Sequence, residues 1–98
     1  MGNRRDRMAV LLRQHFTPEL LQIDDESARH AGHAGAAPGG DTHYRVLMVA
    51  AAFRGQPRLA RSRAVHAALA AEFATGLHAL ALTLRTPEEH AAAAGPGP

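Results

Sequence analysis

The chain contains no cysteine and no tryptophan, and all 11 of its basic residues are arginine. Without cysteine there is no disulfide framework, no catalytic thiol and no thiolate of its own for a metal. That absence fits a reducing compartment. The missing lysine, together with an excess of alanine and glycine, reads as a compositional bias rather than a function. Aromatic residues are few: Phe16, Tyr44, Phe53 and Phe73. No apolar run approaches the roughly 18 residues of a membrane span. The stretch "RRDRMAVLL" is too short in its apolar part for a secretory signal, and Asp6 stands where a myristoylation site requires Ser or Thr. A cytoplasmic location away from membranes is therefore expected. Also missing are a Gly-x-Ser-x-Gly elbow and a phosphate-binding loop. Asp24, Asp25 and Glu26 are adjacent, and adjacent side chains on an extended segment diverge, so they make no acid–base pair. The chain is not expected to be an enzyme.

What is present is a chain of 98 residues with a formal net charge of +2. That length suits one domain with a modest core. Seven histidines stand out, and His30, His33 and His43 fall in one stretch, "ARHAGHAGAAPGGDTH" (28–43). A segment that only connects two elements has no need of imidazoles.

Hydrophobic periodicity supplies the elements. "RDRMAVLLRQHF" places Met8, Leu11, Leu12 and Phe16 at helical spacing, and Pro18 closes the helix. "LLQID" suits a short strand. Asp24 to Asp41 is expected to be a long loop of the kind that carries function. "HYRVLMVAAAF" alternates as a strand, with Tyr44, Val46 and Met48 on one face. "RGQP" turns the chain. "RLARSRAVHAALAAEF" is expected as one helix with Leu59, Val65, Leu69 and Phe73 inward, and Gly76 follows its end. "HALALTLR" is a third strand with Leu80, Leu82 and Leu84 on one face. In "TPEEH", Thr86 is a helix N-cap and Pro87 the first helical residue. The order helix, strand, strand, helix, strand, short helix makes a two-layer α+β domain, with a three-stranded sheet covered by helices on one face. The core is expected to unite Val46, Leu59, Val65, Leu69, Phe73, Leu80 and Leu82. The domain is expected over 1–90, and 91–98 as a disordered tail.

These segments together resemble the BolA family from about Met8 to Glu89. The residues that carry the resemblance are "DESARH" (25–30), "THYRV" (42–46), "F-R-G" (53–55), "RLARSRAVHAAL" (58–69) and "LHALAL" (77–82). It implies a mixed sheet in a fold like the second type of KH domain. It also implies partnership with a monothiol glutaredoxin bearing a Cys-Gly-Phe-Ser active site, the two proteins sharing a [2Fe–2S] cluster. Family members are further linked to transcriptional control, morphology and stress responses. The family divides by whether its long loop offers the cluster a cysteine or a histidine. This chain falls in the histidine group. The loop histidine matching the family position is His30; His33, in an extension of the loop, is the alternative. The family's histidine at the start of the last strand matches His78.

Taken alone, a histidine such as His78 at the apolar end of a strand is most often a half-buried structural residue. The resemblance turns it into the first metal ligand, because a strand end holds an imidazole at a fixed angle. Iron in a [2Fe–2S] cluster accepts histidine nitrogen in place of thiolate. This chain offers two imidazoles and no thiolate, so it is not expected to hold a cluster alone. The resemblance supplies the missing ligands as a glutaredoxin cysteine and a glutathione thiol. The implied role is a non-enzymatic adaptor in iron–sulfur cluster assembly, trafficking or iron sensing, a monomer or weak homodimer when alone. His43 is expected to organise the loop, and His15, His66 and His90 to have local roles.

A second expectation is DNA binding. KH folds clamp single strands with Gly-x-x-Gly. Here the turn is "RGQPR", with Arg58 in place of the second glycine. Arg54, Arg58, Arg61 and Arg63 cluster there, and arginines at such spacing meet phosphates. A merely solvated helix face is the competing explanation, and no aromatic run suggests a base-stacking platform.

Overall fold

The computed structural model describes residues 3–26 and 42–94. Helix α1 (Arg4–Phe16) is capped by Asn3, whose side chain accepts from the Asp6 amide at 2.9 Å. It ends at Thr17, which adopts the left-handed conformation (φ 46) just before Pro18. Strand β1 (Leu20–Asp25) then pairs antiparallel with β2 (His43–Val49). Strand β1 runs to Asp25, one residue past the expected "LLQID". Strand β2 ends at Val49, earlier than expected, and a 3₁₀ turn (Ala51–Phe53) seats Phe53 in the core.

The expected single helix over 58–73 is two helices, α2 (Arg58–Ala68) and α3 (Ala70–Ala74). The break is at Leu69, which leaves helical geometry at φ −102 and ψ 15. Strand β3 (Ala79–Arg85) lies parallel to β2 on the side opposite β1, so the sheet is mixed, in the order β1-β2-β3. Helix α4 (Pro87–Ala94) opens with the expected cap: the Glu89 amide donates to Thr86 Oγ1, and Glu89 Oε1 accepts from the Thr86 amide. It continues to Ala94, so residues 91–94 are helical rather than part of a disordered tail. Residues 95–98 lie outside the described residues.

One face of the sheet is dry. Ile23, Tyr44, Val46 and Met48 pack with Met8 and Leu12 of α1, Val65 of α2 and Leu69, all buried. Leu80, Leu82, Leu84 and Phe73 are partly buried against this cluster. The other face exposes Gln22, Asp24, Arg45, Ala81 and Thr83, as expected of a two-layer domain. Leu59 is a correction: it is 61% exposed. Residues four apart share a helix face, so the buried stripe of α2 is Arg61, Val65 and Leu69, with Phe73 next in step. Leu59, six residues before Val65, lies off that stripe.

A charged cluster ties α1 to α3. Arg4 Nη1 donates to the Glu72 carbonyl (3.0 Å), Glu72 Oε1 (2.8 Å) and Thr75 Oγ1 (3.1 Å). Arg7 also reaches Glu72, which is buried. Hydrogen bonding from Arg7, reinforced by the Arg4 charge, holds the Glu72 carboxyl below its ordinary range against the opposing effect of burial.

Candidate functional site

The site forms where β2 and β3 begin. These strands are parallel, so their first residues lie side by side: His43 is in register with Ala79, one residue beyond His78. The His78 and Ala79 amides both donate to the Thr42 carbonyl, at 2.9 and 3.0 Å. This pair of hydrogen bonds to one carbonyl oxygen fixes the backbone on which His78 sits. Gly76 makes the approach possible. Its φ is +125, and a Cβ there would lie 3.0 Å from Arg4 Nη2. Leu77 is buried and anchors the lead-in, while the His78 side chain is exposed. The ring is thus not the half-buried rim residue that parity alone suggests.

The ring nearest His78 that the sequence reading left out of the site is His43. The two imidazole centroids are 5.5 Å apart, with planes at 56°. The Thr42 hydroxyl meets His43 Nδ1 at 2.8 Å. Such a contact to one ring nitrogen sets the orientation of the other, which is how ligating imidazoles are commonly held. The missed signal was strand pairing: β2 starts at His43, and β3, parallel to it, starts at Ala79 directly after His78, so the pairing brings the two histidines together. His30 and His33 lie outside the described residues. Among the described residues no group of three or more His, Cys, Asp or Glu side chains could hold a metal ion. Two neighbouring imidazoles fit a partial ligand set, in donor type and number, that others must complete.

The remaining histidines are elsewhere. His66 stacks on Phe73 at 4.9 Å, His90 Nδ1 meets Arg85 Nη1 at 3.3 Å, and His15 lies beside Phe16. Beside the His43 end, Asp24, Asp25, Glu26 and Arg45 line a shallow cleft, and Arg45 Nε donates to Glu26 Oε2 at 3.2 Å.

The arginines gather at the opposite end of the sheet, and they are not equivalent. Arg54 forms a two-pronged ion pair with Glu88 of α4. Hydrogen bonding in that pair lowers the Glu88 pKa and raises that of Arg54. Arg61 is a correction to the expected phosphate-binding face: it is 6% exposed and points inward. Its Nε donates to the Gln56 carbonyl (2.7 Å), and Nη1 reaches the Leu84 carbonyl (3.2 Å). The Arg61 guanidinium also grips both Glu89 oxygens and lies 5.7 Å over the Phe53 ring. The Arg61 hydrogen bond, with help from the Thr86 amide, pulls the Glu89 pKa down to about 2. Arg58 and Arg63 are exposed and make no hydrogen bond or ion pair among the described residues. Only these two keep the disposition expected of phosphate contacts.

A family profile described as "BolA-like protein" matches residues 12–89. "BolA-like protein 1" of Pongo abelii is 45% identical over 78 residues, which is 80% of this chain and 54% of that protein. The chain thus spans about half the length of the first curated relatives it matches. "DNA-binding transcriptional regulator BolA" of Escherichia coli (strain K12) is 39% identical over 85 residues, 87% of this chain and 77% of that one. Among solved structures, BolA1 from Arabidopsis thaliana superposes with a TM-score of 0.80 at 41% identity, covering 91% of this chain and 97% of that chain. The BolA domain of SufE1 from the same plant gives a TM-score of 0.79 at 35% identity, covering 91% and 98%. These relatives are named as BolA proteins, a BolA domain or a transcriptional regulator, and none as a catalytic family. No helix among the described residues is long and apolar enough to cross a membrane.

Proposed function

The chain belongs to the BolA-like family, and from that premise we propose that it is a non-enzymatic adaptor that shares a [2Fe–2S] cluster with a monothiol glutaredoxin in the cytoplasm. The observation that carries this reading is the exposed His78 ring, on a backbone pinned twice to Thr42 and 5.5 Å from the ring of His43. The exposed His78 ring, on its fixed backbone, suits a ligand set completed from outside the chain. His78, directly before β3, is the first ligand and His30 from the loop the second, with His33 its alternative. His43 stands close enough to His78 to orient it or to stand in for the loop. The chain has no thiolate, so the sulfur ligands come from the glutaredoxin cysteine and glutathione. When bound, the cluster supplies an iron–sulfur unit whose potential neutral histidine ligands raise. The chain's own residues hold it at the mouth of the β2–β3 pair.

Anaerobic reconstitution tests this. The chain is mixed with a monothiol glutaredoxin, glutathione, ferrous iron and sulfide, then separated by size. Iron and sulfide should co-elute in a heteromeric species containing both proteins. If all the cluster stays with glutaredoxin whether or not the chain is present, the adaptor reading is wrong.

A second reading, DNA binding, draws on the printed name of the Escherichia coli relative and on Arg58 and Arg63, which are exposed and make no ion pair among the described residues. Arg54 and Arg61 contribute less to it, because Glu88 and Glu89 already occupy them. Replacing Arg58 should lower the log–log salt slope of binding by about one. A slope that does not change removes Arg58 from the interface.

A further inference from the structure

Strand β3 is an edge of the sheet. Ala79 donates to the Thr42 carbonyl, and the Arg85 carbonyl accepts from Ala50. The odd-numbered residues of β3 therefore bond to β2, and the amides and carbonyls of Leu80, Leu82 and Leu84 point away from the sheet. One of these groups is closed, the Leu84 carbonyl, by Arg61 Nη1. The outward groups of Leu80 and Leu82 have no hydrogen-bond partner among the described residues.

Exposed edges are usually blunted by proline, a bulge, a charged side chain or a cover. Residues 79–84 read "ALALTL", with no proline or charge, and the register with β2 is unbroken. Helix α2 runs beside this edge without closing it. Between them lies a cleft of 260 Å³ lined by Arg58, Arg61, Ser62, Leu82, Thr83 and Leu84. Its leucines are only partly buried, so part of its lining is apolar surface still open to water. Of its two cations, Arg61 is taken by Glu89, and Arg58 has no ion-pair partner among the described residues.

We infer that the β3 edge accepts an extended, acidic peptide segment of another protein as a fourth strand. Donors and acceptors alternate along the edge at the two-residue repeat of a strand, roughly 6.6 Å. A peptide backbone matches both kinds of group at that repeat, which is the basis of recognition by strand addition. A deoxyribose–phosphate backbone offers acceptors alone, and no aromatic ring among the described residues lines the cleft to stack a base. A second copy of this chain fits poorly, since two-fold pairing of β3 edges would bring two Arg58 side chains toward one shared groove. An acidic side chain flanking the added strand would meet Arg58 directly. This surface does not involve His43 or His78, so its fate is independent of the cluster proposal.

Amide hydrogen exchange on the ¹⁵N-labelled full chain tests it. The probe is a capped heptapeptide of alternating valine and glutamate, titrated to millimolar concentration. Exchange at Leu80 and Leu82 should slow by at least about tenfold at saturation. The same peptide with N-methylated valines should give no protection, and Arg58→Glu should weaken binding roughly fivefold. Unchanged exchange at Leu80 and Leu82 with the heptapeptide would overturn the proposal. So would protection by a single-stranded DNA oligomer in place of the peptide, or protection that rises with protein concentration without any peptide. Equal affinity in Arg58→Glu would overturn the acidic specificity.

Discussion

The two ends of the sheet use their functional-looking side chains in opposite ways. At the end where β2 and β3 begin, the His78 side chain is exposed, His43 is its neighbour, and the backbone beneath them is fixed. At the other end, Arg54 and Arg61 are drawn into ion pairs with α4, and Arg61 alone joins α4, β3 and the "RGQP" turn. A cluster of chemistry-bearing residues in a sequence thus has two meanings. Side chains spent on the fold have their hydrogen bonds made internally. The exposed His78 ring has instead an open tip on a fixed backbone.

Substitutions at the two ends should separate these meanings. Arg61→Ala should have the largest effect on stability, a loss of about 2 kcal/mol, because it leaves the Gln56 and Leu84 carbonyls and Glu89 without their shared donor. Urea denaturation checks it. A loss near zero would place Arg61 with the spare arginines and erase the contrast. Gly76→Ala should cost about 1 kcal/mol or more, through its φ of +125 and its contact with Arg4. It should also perturb the His78 amide signal, since Gly76 sets the approach to that residue.

Acid should act on the arginine end. The Glu89 pKa is about 2 in the folded chain against an ordinary 4.5. A depressed carboxyl contributes stability above its unfolded pKa and loses it as pH falls through the folded value. The Glu89 contribution should therefore be complete at neutral pH and fade between about 4.5 and about 2. Comparing wild type with Glu89→Gln should show the two stability curves converging across that window. Parallel curves would mean the ion pair does not bind α4 to the rest. The smallest effect is expected at the histidine end: His78→Ala should change stability by less than about 0.5 kcal/mol, as for other exposed sites away from special contacts.

Much of this architecture was legible in the sequence. Alternation gave the faces of β2 and β3, and "TPEE" gave the cap of α4, because both depend on neighbours a few residues away. The misses share a cause. Leu59 was placed in the core because it is apolar, and Arg61 on the surface because it is charged. The four-residue step from Arg61 to Val65 to Leu69 puts the arginine on the buried stripe instead. Its burial rests on Glu89, 28 residues away, a partner that no local pattern announces. His43 was missed as a neighbour of His78 for a similar reason: their proximity follows from parallel pairing of two strands, not from spacing along the chain. The ligand role proposed for His78 comes from the resemblance, and the fold gives the residue an exposed position on a fixed backbone that parity did not foretell.

The most direct test of the histidine end is the visible circular dichroism of the reconstituted heteromeric cluster with wild type and with His78→Ala. Because His78→Ala should fold normally, a difference would report the iron coordination. An altered spectrum and faster cluster loss are expected for the variant, with His30→Ala acting likewise unless His33 or His43 replaces it. An identical spectrum and lifetime in His78→Ala would contradict the assignment of His78 as a ligand.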